Sequence, residues 1–385
     1  MSLAALIAAL SLAQTPPPPT ADVPTPAAPA PAAAAPAAKP PAAKVTFWGF
    51  LNAQWSRTDP EKGDPSSTFE LRRARIGARG ELTPYTGFAV LWDGADASLK
   101  DAYVAAKAIP ALPGLELRLG QWKTPFGYEQ PESDTKLLWV NSSYIVANLA
   151  RASTIATATT ASDNRDLGLG LVGGWKLGPV KADLAVSYVN GAGSNRKDDL
   201  DEKNVWAKAG GTLALGPANL RAGVSYGNGR QVVATGTNAK FDGLGTPLDD
   251  TYQWFTTYGA DVELDTPWFF CVAEYARSEK DQGAYATTGT GEAAVTTLTR
   301  RDFNASGWYA GVYGKTPWNL GPVARLEAYD RNDDVDDAEN ARLTLGAYVD
   351  LVPVNARLIV NYELDRSDDA VRAGDKLYVF GQLIF

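Results

Sequence analysis

The stretch from Phe69 to Gly80, FELRRARIGARG, carries four arginines in twelve residues of a chain whose formal net charge is −8. Guanidinium groups are permanently charged and bind carboxylates and phosphates through paired hydrogen bonds. Their concentration in an acidic chain indicates a site that binds anions, either solute anions or carboxylates of the same chain. The element that carries the arginines decides between these two interpretations.

The composition excludes several kinds of chemistry. The chain of 385 residues has no histidine, so a Ser-His catalytic arrangement and a His-ligated metal site are ruled out. The single cysteine, Cys271, allows neither an internal disulfide nor a multi-cysteine metal cluster. The acidic balance argues against nucleic-acid binding. We therefore expect no catalytic residue, no cofactor, no metal and no nucleic-acid partner.

The N-terminal segment has the composition of a targeting signal and a spacer. Leu3 to Ala13 is a short apolar run that ends in small residues, which predicts a secretory signal over residues 1–13. Residues 14–44 are almost wholly alanine and proline, and such a segment cannot bury a core. We expect it to be a periplasmic linker, with the folded domain at residues 45–385.

From Val45 onward apolar and polar residues alternate, which is the period of a strand with one apolar face. In ARLTLGAYVDL, residues 341–351, the leucines share one face and Arg342 and Thr344 lie on the other. Sixteen strands are predicted, at residues 45–57, 67–82, 87–93, 99–108, 115–123, 166–176, 181–191, 204–215, 220–228, 251–264, 268–280, 304–316, 323–331, 341–351, 355–366 and 375–385. All 14 prolines beyond residue 43 fall between these segments, as expected of a residue that cannot donate to a sheet ladder.

The predicted connections alternate between short turns and long polar loops. TPYT at residues 83–86 and LGPV at 177–180 are short, whereas 229–250 and 330–340 are long. This alternation is typical of outer-membrane barrels. It predicts an all-β, 16-stranded antiparallel transmembrane β-barrel in the outer membrane of a Gram-negative bacterium, with both termini on the short-turn, periplasmic side. A soluble β-sandwich is the alternative, but it rarely needs 16 strands with such regular alternation.

The two-residue period decides which way the arginines point. Ala74, Ile76 and Ala78 have one parity on the predicted strand 67–82, and Arg73, Arg75 and Arg79 have the other. An arginine that faces lipid at the bilayer midplane costs about 2–4 kcal/mol, so these three arginines are predicted to face the lumen.

Arg72 has the lipid parity and is predicted to lie near an interface, where its charge can reach water. For the three lumen arginines two interpretations stay open. They attract anions into a water-filled channel, or they pair with inward carboxylates such as Asp101 and Glu116, which would form an opposing acidic wall.

Several segments resemble the phosphate-selective porin O and P family. The matching pieces are FELRRARIGARGEL (69–82), LKDAYV (99–104), LRLGQWKTPFGYE (117–129), RDLG (165–168), YVNGAG (188–193) and the C-terminal Phe385. The resemblance implies a 16-stranded outer-membrane porin, usually trimeric, that passes small anions, with phosphate or polyphosphate selectivity in some members. Such porins line the channel with arginines and a few central lysines. The implied anion-attracting residues here are Arg73, Arg75, Arg79, Arg118, Lys123 and Lys100, of which Lys100 has an ambiguous parity.

The segment from Thr124 to Arg165 is the third long loop, and a connection of this length is usually functional. DTKLLWVNSSYIVANLA, residues 134–150, has helical potential. In similar porins the third loop folds inward and narrows the pore. We expect the same here, with Glu129, Asp134 and Lys136 as the charged residues of the constriction.

The sequence thus predicts a porin whose water-filled channel passes small hydrophilic solutes passively, with an anion preference that extends to phosphate or polyphosphate. The expected partners are small anions, outer-membrane lipid, lipopolysaccharide and two further copies of the chain in a homotrimer. One alternative is a structural outer-membrane barrel, tethered to the cell wall by its Ala/Pro arm, that conducts no ions. The other alternative, a barrel lipase or protease, is weak because the chain has no histidine.

Overall fold

The computed structural model describes residues 43–107, 109, 113–150, 164–198, 202–232, 252–288, 295–336, 339–353, 355–369 and 372–385. The predicted signal, residues 1–13, and almost all of the predicted linker, residues 14–44, lie outside the described residues.

Sixteen strands form the described fold and close into one antiparallel barrel in chain order, with β1 paired to β16. The strands are β1 (Lys44–Asp59), β2 (Ser66–Thr83), β3 (Thr86–Asp93), β4 (Ser98–Ala106), β5 (Leu115–Lys123), β6 (Arg165–Leu177), β7 (Val180–Val189), β8 (Asn204–Leu215), β9 (Ala218–Val232), β10 (Tyr252–Asp265), β11 (Phe269–Thr288), β12 (Val295–Gly314), β13 (Leu320–Asp330), β14 (Glu339–Val352), β15 (Ala356–Asp365) and β16 (Asp375–Ile384). One short helix, α1 (Tyr144–Asn148), lies between β5 and β6. The predicted 16-stranded barrel is confirmed.

The barrel is polar inside and apolar outside. Ile76, Leu119 and Val224 are exposed at 56%, 58% and 62%, while Arg325 and Glu327 are almost completely buried. A soluble protein has the opposite distribution, whereas a barrel surrounded by lipid needs this one. The soluble β-sandwich is therefore ruled out. No helix in the described part of the chain is long and apolar enough to cross a bilayer.

The first and last strands meet at the end of the barrel that carries the short turns. The backbone N–H of Gly49 donates to the Phe385 carbonyl at 2.9 Å, and the Phe385 N–H donates to the Gly49 carbonyl at 3.0 Å. A Cβ atom at residue 49 would lie 2.6 Å from the Phe385 ring. The glycine is therefore required for the C-terminal residue to complete the ladder between β1 and β16.

One pair of strands is longer than predicted. β11 and β12 extend to Thr288 and from Val295, instead of ending at residue 280 and starting at residue 304. β10 pairs with β11 only as far as Lys280, and β13 pairs with β12 only from Ser306. Beyond these points the ladder in the described residues continues between β11 and β12, as a ribbon at the long-loop end.

The position predicted for Pro322 is wrong, because this residue lies inside β13 rather than in a connection. The ladder between β12 and β13 reaches only to the pair Tyr313–Val323, so Pro322 lies just past its end. On the other side of β13, Pro322 is paired with Ala347. A proline is tolerated here because the strand has only one partner at this point.

Candidate functional site

Arg73 and Arg75 lie on the lumen side of β2, as their parity predicted. The Arg75 side chain is buried, and its Nε donates to Asp93 Oδ2 on β3 at 2.7 Å. Its Nη1 donates to Asp134 Oδ2 at 2.6 Å. Arg73 Nε lies 3.0 Å from the same Asp134 oxygen. Both arginines are therefore joined to a carboxylate of the long loop between β5 and β6.

Three cationic side chains lie within ion-pair distance of the Asp134 carboxylate. Besides the two arginines, Lys123 Nζ at the end of β5 lies 3.9 Å from Asp134 Oδ1 and donates to the Glu132 carbonyl at 2.5 Å. Burial alone would raise the pKa of the Asp134 carboxyl, but the cations of Arg73, Lys123 and Arg75 outweigh it and hold the pKa well below its usual range. The carboxylate is thus held firmly in its ionised form.

The prediction that Arg72 faces lipid near an interface is wrong. The ladder between β1 and β2 steps from the pair Asn52–Arg73 to the pair Ala53–Leu71, so Arg72 is the extra residue of a β-bulge. Its Nη1 donates to Gln54 Oε1 at 3.2 Å, and Gln54 is a buried side chain of the inner wall. The bulge reverses the parity of this position, which uninterrupted alternation cannot anticipate.

Arg79 and Arg118 lie nearer the short turns, in a lumen pocket of about 400 Å³. We call it the short-turn basin; its charged residues are Lys44, Arg79, Lys107, Arg118, Glu81 and Glu116. Arg118 Nε lies 2.6 Å from Glu116 Oε1, and Lys107 Nζ lies 2.9 Å from Glu81 Oε1. Within the described residues Arg79 has no ion pair, and its guanidinium lies 6.0 Å from the centre of the Trp48 ring.

Lys100 and Asp101 occupy a second irregularity, where the β3–β4 ladder steps from the pair Val90–Ala102 to the pair Trp92–Leu99. This irregularity resolves the ambiguous parity of Lys100, which is buried and forms an ion pair with Asp96. The Asp101 carboxylate pairs instead with Arg165 Nε on β6 at 2.8 Å.

The expected opposing acidic wall does not form. Glu116 lies two residues from Arg118 on the same strand, β5, and Asp101 pairs with Arg165 of β6. The carboxylate that meets Arg73 and Arg75 is Asp134 of the long loop.

The described part of the long loop, residues 124–150, lies against the inner wall. Its backbone N–H groups at Gly127, Tyr128 and Val140 donate to Ser225 Oγ on β9, Glu274 Oε2 on β11 and Asn361 Oδ1 on β15, at 2.9, 3.0 and 2.8 Å. Lys208 of β8 donates to the Gly127 carbonyl. Side chains of the wall therefore satisfy polar backbone groups that would otherwise remain buried without partners.

Aromatic side chains of the loop pack into recesses at glycines on the inner face of the barrel wall. Phe126 is buried and contacts Trp206 edge-on, with 5.7 Å between the ring centres. A Cβ atom on Gly259 of β10 would lie 2.8 Å from the Phe126 ring, and one on Gly311 of β12 would lie 2.5 Å from the Trp139 ring. Glycines on the inner face thus make the room that the loop occupies.

A buried ionic cluster anchors the middle of the loop. Arg325 of β13 lies 2.8 Å from Glu327 and 3.7 Å from Glu129 of the loop, and it donates to the Asn141 carbonyl at 2.9 Å. Burial raises the pKa of Glu129, although Arg325 and the donors of Ser143 oppose the shift. Arg342 of β14 adds a bond from Nη2 to the Ser142 carbonyl at 2.9 Å.

The helical potential of residues 134–150 is realised only in α1. Ser143 is its N-cap and accepts a hydrogen bond from the Val146 N–H at 3.3 Å. The backbone N–H of Tyr144 donates to Glu327 Oε2 at 2.7 Å. Just before α1, the Val140 N–H and the carbonyls of Asn141 and Ser142 bond to side chains of the wall instead of to helix backbone.

Lys136 is placed differently from the other two charged residues expected at the constriction. Its side chain is exposed and lies 2.8 Å from Glu132, four residues earlier in the loop. It lines a second lumen cavity of about 620 Å³, on the side of the loop that faces the short turns.

Other lumen ion pairs were not predicted from the sequence. Lys208 of β8 lies 3.1 Å from Asp261 of β10. Arg221 of β9 lies 2.9 Å from both Asp183 and Glu263. These residues could have been found from the sequence, because the alternation that placed Arg73 and Arg75 on the lumen side applies equally to the later strands.

A family model described as phosphate-selective porin O and P matches residues 49–375. No curated protein matches the chain. Among solved structures, OmpT of Vibrio cholerae in its trimer form is similar, with 13% identity, a TM-score of 0.55, and coverage of 90% of this chain and 100% of that chain. OprB of Pseudomonas putida is similar with 10% identity, a TM-score of 0.55, and coverage of 89% and 94%. At these identities the two structures support the barrel fold alone.

Proposed function

Because the chain belongs to the phosphate-selective porin O and P family, we propose that it forms a water-filled channel through which small hydrophilic solutes diffuse passively, with a preference for anions. The family and the closed barrel support an outer-membrane porin channel rather than an enzyme. The charges of the lumen carry the proposed preference.

The short-turn basin is the observation that carries the proposed anion preference. Four cations and two carboxylates line this pocket, and the Arg79 guanidinium has no ion pair within the described residues. A surplus of positive charge in a narrow lumen raises the local concentration of small anions. Lys107 and Arg118 add donors that anions share with Glu81 and Glu116.

The proposed constriction lies where the long loop meets β2. Arg73, Arg75 and Lys123 face one loop carboxylate, and Asp93 takes one further bond from Arg75. Three cations against two carboxylates give this point a small positive surplus. Glu129 contributes to the constriction by anchoring the loop to Arg325. Lys136 lies on the other side of the loop, where it lines the second cavity.

The proposed anion preference extends to phosphate and polyphosphate as permeating solutes. Guanidinium groups bind carboxylate and phosphate oxygens with the same paired geometry, so a phosphate at Arg73 and Arg75 must displace Asp134. We therefore propose that Asp134 competes with the permeating anion. This competition favours rapid, weakly selective passage over tight phosphate binding.

Two further proposals concern assembly. We propose a homotrimer, supported by the family and by the trimer form of the similar Vibrio cholerae OmpT. The apolar outer face is proposed to contact lipid and lipopolysaccharide, with both termini periplasmic. Light scattering of the detergent-solubilised protein tests the first proposal, and a monomeric mass would contradict it.

Reversal-potential measurement in a KCl gradient across a planar bilayer tests the preference. We expect an anion-selective potential that decreases when Arg79 is replaced by alanine. The matched control is Arg57→Ala, which removes an arginine already paired with Asp59 at 2.9 Å near the long-loop end. A cation-selective potential of the wild type would overturn the anion preference while leaving the channel intact.

The same bilayer separates a channel from a structural barrel without conductance. The described part of the loop occupies the lumen where it packs against the inner wall, and this is the observation that would favour a structural role. Absence of any conductance step from correctly folded protein would contradict the channel. Added phosphate should reduce the chloride current if phosphate shares the path, and an unchanged current would contradict the phosphate proposal.

A further inference from the structure

The cavity beside Lys136 has a chemistry unlike that of the short-turn basin. It has a volume of about 620 Å³, lies between the long loop and the inner wall, and includes Asn319 and Asn355 of two short connections. We call it the tyrosine cavity; its defining residues are Tyr128, Phe270, Tyr313, Tyr348 and Gln382. Its volume falls within the range of about 300–1,000 Å³ that is usual for small-molecule sites.

Four aromatic rings form a continuous apolar surface in the tyrosine cavity. Phe270 and Tyr313 are stacked with 5.0 Å between ring centres, Tyr128 lies 5.7 Å from Phe270, and Tyr348 lies 6.1 Å from Tyr313. One ring belongs to the loop and three belong to the strands β11, β12 and β14. A ligand with a flat apolar face can stack here.

Polar groups without partners lie beside this surface. The hydroxyls of Tyr128 and Tyr313 make no hydrogen bond to the described part of the chain, whereas the Tyr348 hydroxyl donates to the Gly314 carbonyl at 3.0 Å. Gln382 is 4% exposed, and neither its amide nitrogen nor its amide oxygen has a partner in the described structure.

The buried Gln382 amide is destabilising as long as it has no hydrogen-bond partner. The Gln382 amide offers one kind of donor and one acceptor, and each tyrosine hydroxyl can act as either. A ligand that carries several hydroxyl groups would satisfy these atoms.

The charges around the tyrosine cavity are already paired. The ion pairs are Asp350–Arg357 at 2.5 Å, Lys136–Glu132 at 2.8 Å, Glu263–Arg221 at 2.9 Å, and Asp265–Lys315. Four carboxylates and three cations line the cavity, so it has no positive surplus to attract anions. Paired charges still accept and donate hydrogen bonds at their free positions.

We propose that the tyrosine cavity binds neutral polyhydroxylated solutes of mono- or disaccharide size. A sugar ring has an apolar C–H face and a polar edge of hydroxyl groups, which matches a surface of aromatic rings bordered by unpartnered amide and hydroxyl groups. The proposal does not rest on the anion preference, because a different part of the lumen carries that preference. It requires only that the cavity be reached from the short-turn end.

Isothermal titration calorimetry of the full-length, detergent-solubilised barrel with maltose tests the proposal. Saturable binding is expected for the wild type, and Tyr313→Ala should weaken it about tenfold. Gln382→Leu should weaken it to a similar extent, while Tyr313→Phe should retain most of the stacking. Tyr103→Ala removes a lumen tyrosine of the short-turn basin and should leave maltose binding unchanged.

Anionic and cationic ligands are tested in parallel titrations. Sodium phosphate and tyramine are titrated into the same protein, and neither should displace maltose. Absence of saturable maltose binding would overturn the proposal, as would binding unaffected by both Tyr313→Ala and Gln382→Leu. Stronger binding of tyramine than of maltose would show a cation site instead. Far-ultraviolet circular dichroism and heat-modified migration in gels establish that each variant is folded.

Discussion

The Oδ2 atom of Asp134 lies 2.6 Å from Nη1 of Arg75, and this contact joins the longest loop of the barrel to β2. The two residues are 59 positions apart in the chain. Because Arg73 and Lys123 share the same carboxylate, one loop residue both holds the loop in place and neutralises the arginines of the lumen.

Removing the charge of Asp134 should increase anion selectivity. Asp134→Asn leaves Arg73, Arg75 and Lys123 with one carboxylate fewer, and one unit charge at 4 Å is worth about 1 kcal/mol even with the full screening of water. The chloride-to-potassium permeability ratio from reversal potentials should therefore rise roughly fivefold. Glu132→Gln is the matched control, because the only ion pair of its side chain within the described residues is with the exposed Lys136, and it should change the ratio little. An unchanged ratio in Asp134→Asn would remove Asp134 from the path of the ions.

The effect of Asp134 should persist in acid. Burial opposes ionisation, but the cations of Arg73, Lys123 and Arg75 hold the pKa of this carboxyl well below its usual range. Such a group stabilises the folded state above the unfolded pKa, about 3.9 for aspartate, and loses that contribution only as pH falls through the lower folded pKa. The selectivity difference between wild type and Asp134→Asn should therefore be the same at neutral pH and at about pH 3.5, where an aspartate of ordinary pKa is mostly protonated. A difference that fades on approaching this pH would mean that the carboxyl titrates normally.

Breaking the buried cluster should release the loop. Arg325→Met removes one of the two arginines that pair with the buried Glu327 and takes a donor from the Asn141 carbonyl. Arg342 still lies 2.7 Å from Glu327, so the loss of stability should stay below the roughly 3–5 kcal/mol that a buried charge without any partner costs. We expect a lower urea midpoint of unfolding and faster tryptic cleavage after Lys136. Arg357→Met removes a partly exposed arginine from a pair with Asp350 and should have a much smaller effect. Equal effects of the two substitutions would contradict the anchoring role of Arg325.

Gly127 is needed both for its backbone conformation and for space. Its φ is +60°, and a Cβ atom there would lie 1.7 Å from Glu274 Oε1. Gly178 in a short turn has a φ of +62° but open space around it, so Gly178→Ala measures the backbone strain alone, about 1–2 kcal/mol. Gly127→Ala should cost more stability than Gly178→Ala and should change the single-channel conductance. Equal losses of stability would show that the wall adapts to the new methyl group.

Deletion of the loop tests whether it narrows the channel. Replacement of residues 128–147 by a short Gly-Ser linker removes Asp134, Trp139 and most of α1 from the inner wall. The single-channel conductance should increase because these side chains no longer occupy the lumen. An unchanged conductance in a folded variant would contradict the constriction role.

The strands and the direction of most side chains could be read from the sequence. The alternation along β2 placed Arg73 and Arg75 on the lumen side, and both lie there with buried or half-buried side chains. The physical reason is local: successive residues of a strand point to opposite faces, and lipid tolerates only one kind of side chain. The same rule failed at Arg72, because a one-residue bulge reverses the parity.

The partners of these side chains could not be read in the same way. Arg75 meets Asp134, and Arg325 meets Glu129, across sequence separations that only closure of the barrel brings together. The sequence by itself determined a 16-stranded barrel with arginines on the lumen side, because strand periodicity and the cost of charge in lipid act on each strand separately. Only the tertiary structure decided that the long loop supplies the opposing carboxylate, because the choice of partner depends on where the loop packs against the closed wall.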